Sequence, residues 1–263
     1  MSTLTSRPHA TYPTASRIPC LISHPPHTGD LATQCGALGI DLRCPDTLPS
    51  APAELAAPVL MGEGTAESVS QGLASPYCGF LELGTDGIQG ISSRCFDTVR
   101  AGGLTLSLQT ATIYRLEALE LVAQAIRGRF TFLAPDTIDL LEISLAEALS
   151  NAVIHGNLGI PSHLRTTAAG FAEFQKLMHE RLSDPCRGSR RVEINVAARG
   201  QNSLCIAVSD QGHGFDLSEK LAHSAHATAK NGRGLCLIRK AAHSLDGEDG
   251  GRTLVMTFSQ PVT

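Results

Sequence analysis

Glu147-Ala148-Leu149-Ser150-Asn151-Ala152-Val153-Ile154-His155-Gly156-Asn157 is the stretch on which the reading of this chain turns. Glu147, Asn151 and His155 follow one another four apart, so on a helix they form one stripe. The positions around them, among them Leu141, Ile143, Leu145, Ala148, Leu149, Ala152, Val153 and Ile154, are apolar. A helix over residues 136–155 with so much apolar surface is expected to be largely buried, so its polar stripe must face something polar. A solvated surface face is one reading, but the stripe carries neither Lys nor Arg, and surface faces usually mix signs. The other is a partly buried cavity. There the amide oxygen of Asn151 can ligate a hard cation such as Mg²⁺, and the Glu147 carboxylate can orient or deprotonate an attacking water or hydroxyl.

Two later segments bear on the choice. Asp210-Gln211-Gly212-His213-Gly214-Phe215 follows a run, Ser203–Ser209, in which Leu204, Ile206 and Val208 alternate with smaller residues. Asp210 continues that in-facing parity, which puts an acid at the end of a buried strand. A buried carboxylate is costly without a donor, and an adenine amino group is a suitable one. Gly212 and Gly214 let the backbone approach a base or sugar closely, although a tight turn after a strand has the same composition. Asn231-Gly232-Arg233-Gly234-Leu235 then precedes a helix expected over Leu235–Leu245, and helix N-termini hold phosphate through their backbone N–H groups. Neither a P-loop nor a Rossmann fingerprint is present. Residues 216–230 between the two segments read as a mobile lid or as an ordinary surface loop.

Composition narrows the field. At 42% apolar and 17% charged the chain supports a folded core. A net charge of −4 gives no broad electrostatic case for nucleic acid, and no run of 18 apolar residues suggests a membrane span. The first residues, with Pro8, Pro13, Pro19, Pro25 and Pro26, do not read as a secretory signal. Eight cysteines without a C-x-x-C pair read as small buried hydrophobes in a reducing cytoplasm.

The first lysine is Lys176, and the earlier half is rich in Ala, Gly, Pro, Ser and Leu. This shift suggests a disordered N-terminus over 1–15, an α/β domain over 16–128 and a second domain over 129–263. In the first half, strands are expected at Ile18–Ile22, Pro58–Met61, Cys78–Leu83 and Leu104–Leu108, with helices at His27–Leu38 and Ala111–Arg127. This is the rhythm of a small, mostly parallel sheet. In the second half, Asp136 is the expected N-cap of the long helix. An insertion over 158–190 carries a helix at Ala168–Leu182. Strands follow at Arg191–Ala197 and Ser203–Ser209 around an Arg199-Gly200-Gln201-Asn202 turn, and the closing strand is Arg252–Phe258.

Taken together, the Glu147–Asn157, Asp210–Phe215 and Gly232–Leu235 segments resemble the three nucleotide-binding boxes of the Bergerat-fold ATPases, which include gyrase, MutL and the sensor histidine kinases. The phrasing is most similar to the anti-sigma-factor serine kinase branch, over roughly residues 130–260. The resemblance implies a two-layer α/β sandwich, with helices on one face of a mixed, largely antiparallel sheet. It implies ATP and Mg²⁺ as cofactors, with Glu147 as base, Asn151 as metal ligand and Asp210 as the adenine reader. His155, Gly212, Gly214, Gly232, Arg233, Gly234 and Leu235 would complete the nucleotide site. The implied partner is a protein (an anti-sigma antagonist, a sigma factor or a response regulator), with neither nucleic acid nor membrane, and a homodimer is possible. Arg252 stands where many members carry threonine, and no histidine-bearing helix pair precedes the region. The first half is similar in size and rhythm to a receiver domain, but Met61-Gly62 stands where the phosphoacceptor aspartate would. A non-catalytic ATP-gated module and a split histidine kinase remain as other functions for the same boxes.

Overall fold

The computed structural model describes residues 20–23, 30–44, 57–226 and 233–260. The expected N-terminal segment 1–15, the first residues of the strand at 18–22 and of the helix at 27–38, and residues 227–230 of the lid lie outside them.

The first half builds β1 (Cys20–Ser23), α1 (Leu31–Ala37), β2 (Asp41–Arg43), β3 (Pro58–Gly62), α2 (Ala66–Leu73), β4 (Gly79–Glu82), α3 (Ser93–Arg100) and β5 (Leu104–Gln109). All of these strands pair in parallel, in the order β2-β1-β3-β4-β5. That is one of the two common orders of doubly wound sheets. Alternation along each strand feeds two cores. Cys20, Ile22, Leu60 and Phe80 pack with Val69 and Leu73 of α2 on one face. Leu21, Val59, Met61 and Leu81 pack with Leu31 and Cys35 of α1 and with Cys95, Phe96 and Val99 of α3 on the other.

Next come α4 (Thr110–Arg115) and α5 (Ala118–Arg129), where the apolar pattern alone suggested one helix. Glu117 interrupts it with φ of 48°, a left-handed conformation that turns the chain. Ile113 before the break and Val122 and Ile126 after it all reach the same core. α6 (Pro135–Ser150) starts one residue earlier than expected. Pro135 takes the first helical position, and Ala134 before it is extended, as a residue preceding proline prefers. Asp136 therefore sits inside the first turn instead of capping it. The helix does not stop at Ser150 but continues as a π-helical turn over Asn151–Asn157.

After a 3₁₀ turn at Ser162–Thr166, α7 (Ala168–Ser183) and α8 (Pro185–Gly188) form the insertion. The Thr167 hydroxyl accepts from Gly170 N at 3.0 Å and the Asp184 carboxylate from Cys186 N at 2.9 Å, so each helix start has a side-chain cap. β6 (Arg191–Arg199) and β7 (Ser203–Ser209) are a hairpin, then come α9 (Leu217–His226), α10 (Arg233–Ala241), β8 (Ser244–Glu248) and β9 (Thr253–Ser259). Part of the expected lid is thus helical. The helix expected to reach Leu245 ends at Ala241, and Leu245 instead lies on β8 opposite Met256, both buried. Leu235, Ile238 and Leu245 fit a helical period, which hid the strand. His243 N bonding Thr257 O at 2.7 Å is what draws the chain into the sheet.

β6 pairs antiparallel with β5, from Leu104 opposite Val196 to Gln109 opposite Arg191. One sheet of nine strands therefore runs through the molecule, β2-β1-β3-β4-β5-β6-β7-β9-β8, parallel at one end and antiparallel at the other. Leu204, Ile206 and Val208 of β7 share a core with Leu141, Leu145, Ala148 and Leu149 of α6 and Ile238 of α10. Cys205, Ala207 and Val255 form a small separate cluster on the reverse face. No helix among the described residues is long and apolar enough to cross a membrane.

Candidate functional site

α6 and α10 lie side by side on the antiparallel end of the sheet. Their contact explains Gly234, because a Cβ there would stand 2.3 Å from Glu147 Oε2. The carboxylate of Glu147 is thus set over the first turn of α10, where the helix dipole favours negative charge. Leu235 packs against the main core. Gly232 lies outside the described residues, and of Arg233 only its place at the start of α10 is described.

Asn151 opens the π-helical turn, and its side-chain Nδ2 is buried without a hydrogen-bond partner. Leaving a buried amide group unpaired costs about 1–3 kcal/mol. A half-rotation of the amide presents its oxygen at the same place. The residue therefore has the chemistry and the unmet valence that a hard cation needs.

The π winding changes the expected stripe. With bonds reaching five residues back instead of four, the residues after Asn151 fall out of line with Glu147. His155 turns so that its Nδ1–H donates to Ile160 O at 2.6 Å. Burial holds its pKa below the usual value, so the ring is neutral at pH 7. Gly156 takes the inward place. A Cβ on Gly156 would lie 2.4 Å from Asp210 Cγ and 2.5 and 2.6 Å from its two carboxylate oxygens.

Asp210 follows β7 with the inward parity of Leu204, Ile206 and Val208, and its backbone N–H bonds Arg252 O at 2.9 Å. Its Oδ1 accepts from Gly212 N at 2.7 Å. Burial pushes the carboxyl up to about 6, against the lowering pull of the Gly212 N–H and of Arg252 and Arg190. The site thus holds a buried acid with a single backbone donor. Gly212 cannot carry a side chain, since its Cβ would be 2.3 Å from Gly156 O. Gly214 has φ of 73°, and a Cβ there would meet Gly250 O at 2.1 Å. The Asp210–Phe215 loop is thus seated on the turn between β8 and β9.

Four side chains were not singled out by spacing. Asn157 is fully buried, and its Oδ1 accepts from Gln211 N at 2.7 Å while its Nδ2 donates to Thr110 Oγ1 and Arg191 O. Gln211 in turn accepts from Arg191 N. Arg252 is one of two cations, with Arg190, that act on Asp210. Thr253 is on the reverse side, its hydroxyl donating within hydrogen-bond reach of Ser209 Oγ and Asp249 Oδ2. The asparagine adjoining Gly156 and the glutamine inside the Asp-x-Gly-x-Gly run were visible as residues, but their joint role needed the fold. A large cavity of about 1010 Å³ also opens between α9, α10 and β8, lined by Phe215, Leu221, Arg239 and Leu245 among others. None of Glu147, Asn151 and Asp210 lines it.

A carboxylate over one helix start, an unpaired amide at a π turn and an acid on a glycine loop thus gather beside the antiparallel end of the sheet, in an α/β sandwich. The family model described as Histidine kinase-like ATPase domain matches residues 110–258, more than half of the chain, and the chain belongs to that family. Comparison with curated proteins finds none that matches.

Gly156→Ala tests the packing of this site. The new methyl displaces the Asp210 carboxylate, so ATP affinity is expected to fall by about tenfold or more, with about 1–3 kcal/mol of stability lost to overpacking. Isothermal titration and chemical denaturation measure the two, and unchanged affinity would contradict the placement.

Proposed function

We propose that the protein is an ATP-dependent regulatory kinase of bacterial signalling. It transfers the γ-phosphoryl group to a serine or threonine on a protein partner, as the anti-sigma-factor kinases do. The observation that carries this reading is the Glu147 carboxylate over the start of α10, a place where both a phosphate and an acceptor hydroxyl can be met. Asp210 accepts the adenine amino hydrogen, and Gly212 and Gly214 bring the loop backbone close to the nucleoside. Glu147 orients the hydroxyl and takes its proton. Mg²⁺ would be held by Asn151 and would supply charge neutralisation on the phosphates.

The parallel half, with its 2-1-3-4-5 strand order, supports a receiver-like domain without phosphoacceptor chemistry, since Met61-Gly62 closes β3. It serves as a docking or sensing layer. The partner is an anti-sigma antagonist, a sigma factor or a response regulator.

Incubation with Mg-ATP labelled on the γ-phosphate, together with candidate partners, tests the assignment. Acid-stable phosphoserine or phosphothreonine on a partner is expected. ATP binding without label on any partner points to a non-catalytic ATP-gated module, and an acid-labile phosphohistidine points to a split histidine kinase.

A further inference from the structure

One segment of the parallel half, Gly84 to Arg94, reaches across the sheet and makes two contacts, one to the Asp210–Phe215 loop and one to the end of β8 and the β8–β9 turn on which that loop is seated. In the first, Gln211 Nε2 donates to Gly90 O at 3.0 Å. The same side chain accepts from Arg191 N at 2.8 Å, and its backbone N–H is held by the buried Asn157. Arg191 continues the seam by donating to Glu82 O at 2.9 Å. In the second, Arg94 Nη2 pairs with Glu248 Oε2 at 2.5 Å and with Asp249 Oδ2 at 3.6 Å. Asp249 heads the β8–β9 turn with φ of 53°, and its carboxylate accepts from the Thr253 hydroxyl at 2.7 Å. That turn carries the far end of the nucleotide loop. A Cβ on Gly251 would fall 1.7 Å from Phe215 O, as one on Gly214 would meet Gly250 O at 2.1 Å. Between the two contacts, Ser92 donates through both its backbone N–H and its hydroxyl to the buried Glu193. Gly90, Ser92, Arg94, Glu193 and Gln211 line, with Asp210 itself, an open polar cavity of about 290 Å³.

We infer that the Gly84–Arg94 segment is a clamp that positions the nucleotide loop, with Gln211 and Arg94 as its positioning residues. Through the clamp the parallel half of the sheet sets the adenine-reading geometry. Gln211 holds the start of the loop, and Arg94, through Glu248 and the 249–251 turn, holds its end. Anything that moves this segment changes nucleotide affinity without touching the nucleotide. The mechanical half of the inference stands on contacts alone, and its functional half rests on the nucleotide reading of the Asp210 loop.

Hydrogen exchange of the unliganded protein tests the first half. Gln211→Glu keeps the acceptor for Arg191 N but sets a carboxylate against Gly90 O. Arg94→Ala removes the second contact. Each is expected to speed amide exchange in 210–215 and 249–251 by about tenfold, with other segments unchanged. Arg94→Lys should restore most of the protection. Arg100→Ala, which removes an ion pair to Asp97 within the same helix, should change nothing there. ATP titration tests the second half. Affinity is expected to fall by about three- to tenfold in each variant, with the acid limb of binding moving to lower pH as Asp210 becomes better solvated. The double variant should lose less than the product of the two. Unaltered exchange in both single variants overturns the clamp. Faster exchange with unaltered affinity and acid limb overturns the coupling. Faster exchange in a protein that binds no adenine nucleotide leaves the clamp standing and removes the nucleotide reading instead.

Discussion

Asp210→Asn is expected to weaken ATP binding by about 10- to 100-fold, the worth of a charge-assisted hydrogen bond reduced to a neutral one. It should also abolish the pH dependence expected of the unmodified protein. Burial puts the Asp210 carboxyl at about 6, so the ionised form, the one the proposed adenine contact needs, predominates only above that pH. Donation from an adenine amino group stabilises the carboxylate and lowers the pKa in the complex. ATP affinity is therefore expected to be flat above pH 6 and to fall by about tenfold per pH unit below it, until the pKa of the complex is reached. Stability moves the other way. A carboxyl whose folded pKa is raised contributes its stability below the unfolded pKa of about 3.8, and loses it as pH rises through about 6. The unliganded protein thus bears the cost of an ionised Asp210 at pH 7.5, and the asparagine variant does not. Its unfolding free energy is expected to exceed that of the unmodified protein by up to about 2–3 kcal/mol at pH 7.5, and the gap should close by pH 4. A weaker binder that is also more stable is the mark of a binding carboxylate. Structural damage would weaken binding and stability together. Titrations between pH 5 and 8, paired with urea denaturation at pH 4 and 7.5, separate the outcomes, and equal acid limbs in the two proteins would remove Asp210 from the base-reading role.

What the residue order revealed of this molecule follows the strength of its periodicities. The two-residue alternation of Leu204, Ile206 and Val208 is long enough to carry Asp210 to the correct face, and the structure sets that carboxylate against Gly156. The four-residue spacing of Glu147, Asn151 and His155 was legible as a stripe. The π turn then bends it, because nothing in Asn151–Asn157 announces that its bonds reach one residue further back. β8 stayed hidden because Leu245 fits the helical period of Leu235 and Ile238 as well as it fits a strand, and only the pairing with β9 decides. The junction of the halves was illegible for a different reason. Strand pairing between β5 and β6 joins residues about 90 apart, and no local pattern encodes which edge meets which. Gln211 and Asn157 belong to the same class, since each is an ordinary polar residue until the fold brings their amides together.

Glu147→Gln separates chemistry from binding. The amide keeps the size of the side chain and its place beside Gly234, but it cannot accept the hydroxyl proton. Phosphoryl transfer to the partner is expected to drop by about 10²- to 10⁴-fold, the usual contribution of a positioned base. ATP affinity should hold or rise by a few fold, because the carboxylate sits at the start of α10 and repels an anion that seeks the same helix terminus. The gain should be larger for ATP than for ADP, since the proposed role sets the γ-phosphate, which ADP lacks, beside that charge. Gly234→Ala is the companion. Its methyl meets Glu147 Oε2 at 2.3 Å, and the flexible end of the side chain can swing aside with little loss of stability. The charge then remains but its position changes, so transfer falls while the ATP-over-ADP preference moves less than it does in Glu147→Gln. Tighter ATP binding with lost transfer in Glu147→Gln, and lost transfer with a smaller change of preference in Gly234→Ala, is the pattern a general base requires. If Glu147→Gln transfers phosphate at the unmodified rate, the proton has another acceptor and Glu147 serves only to hold α10 against α6.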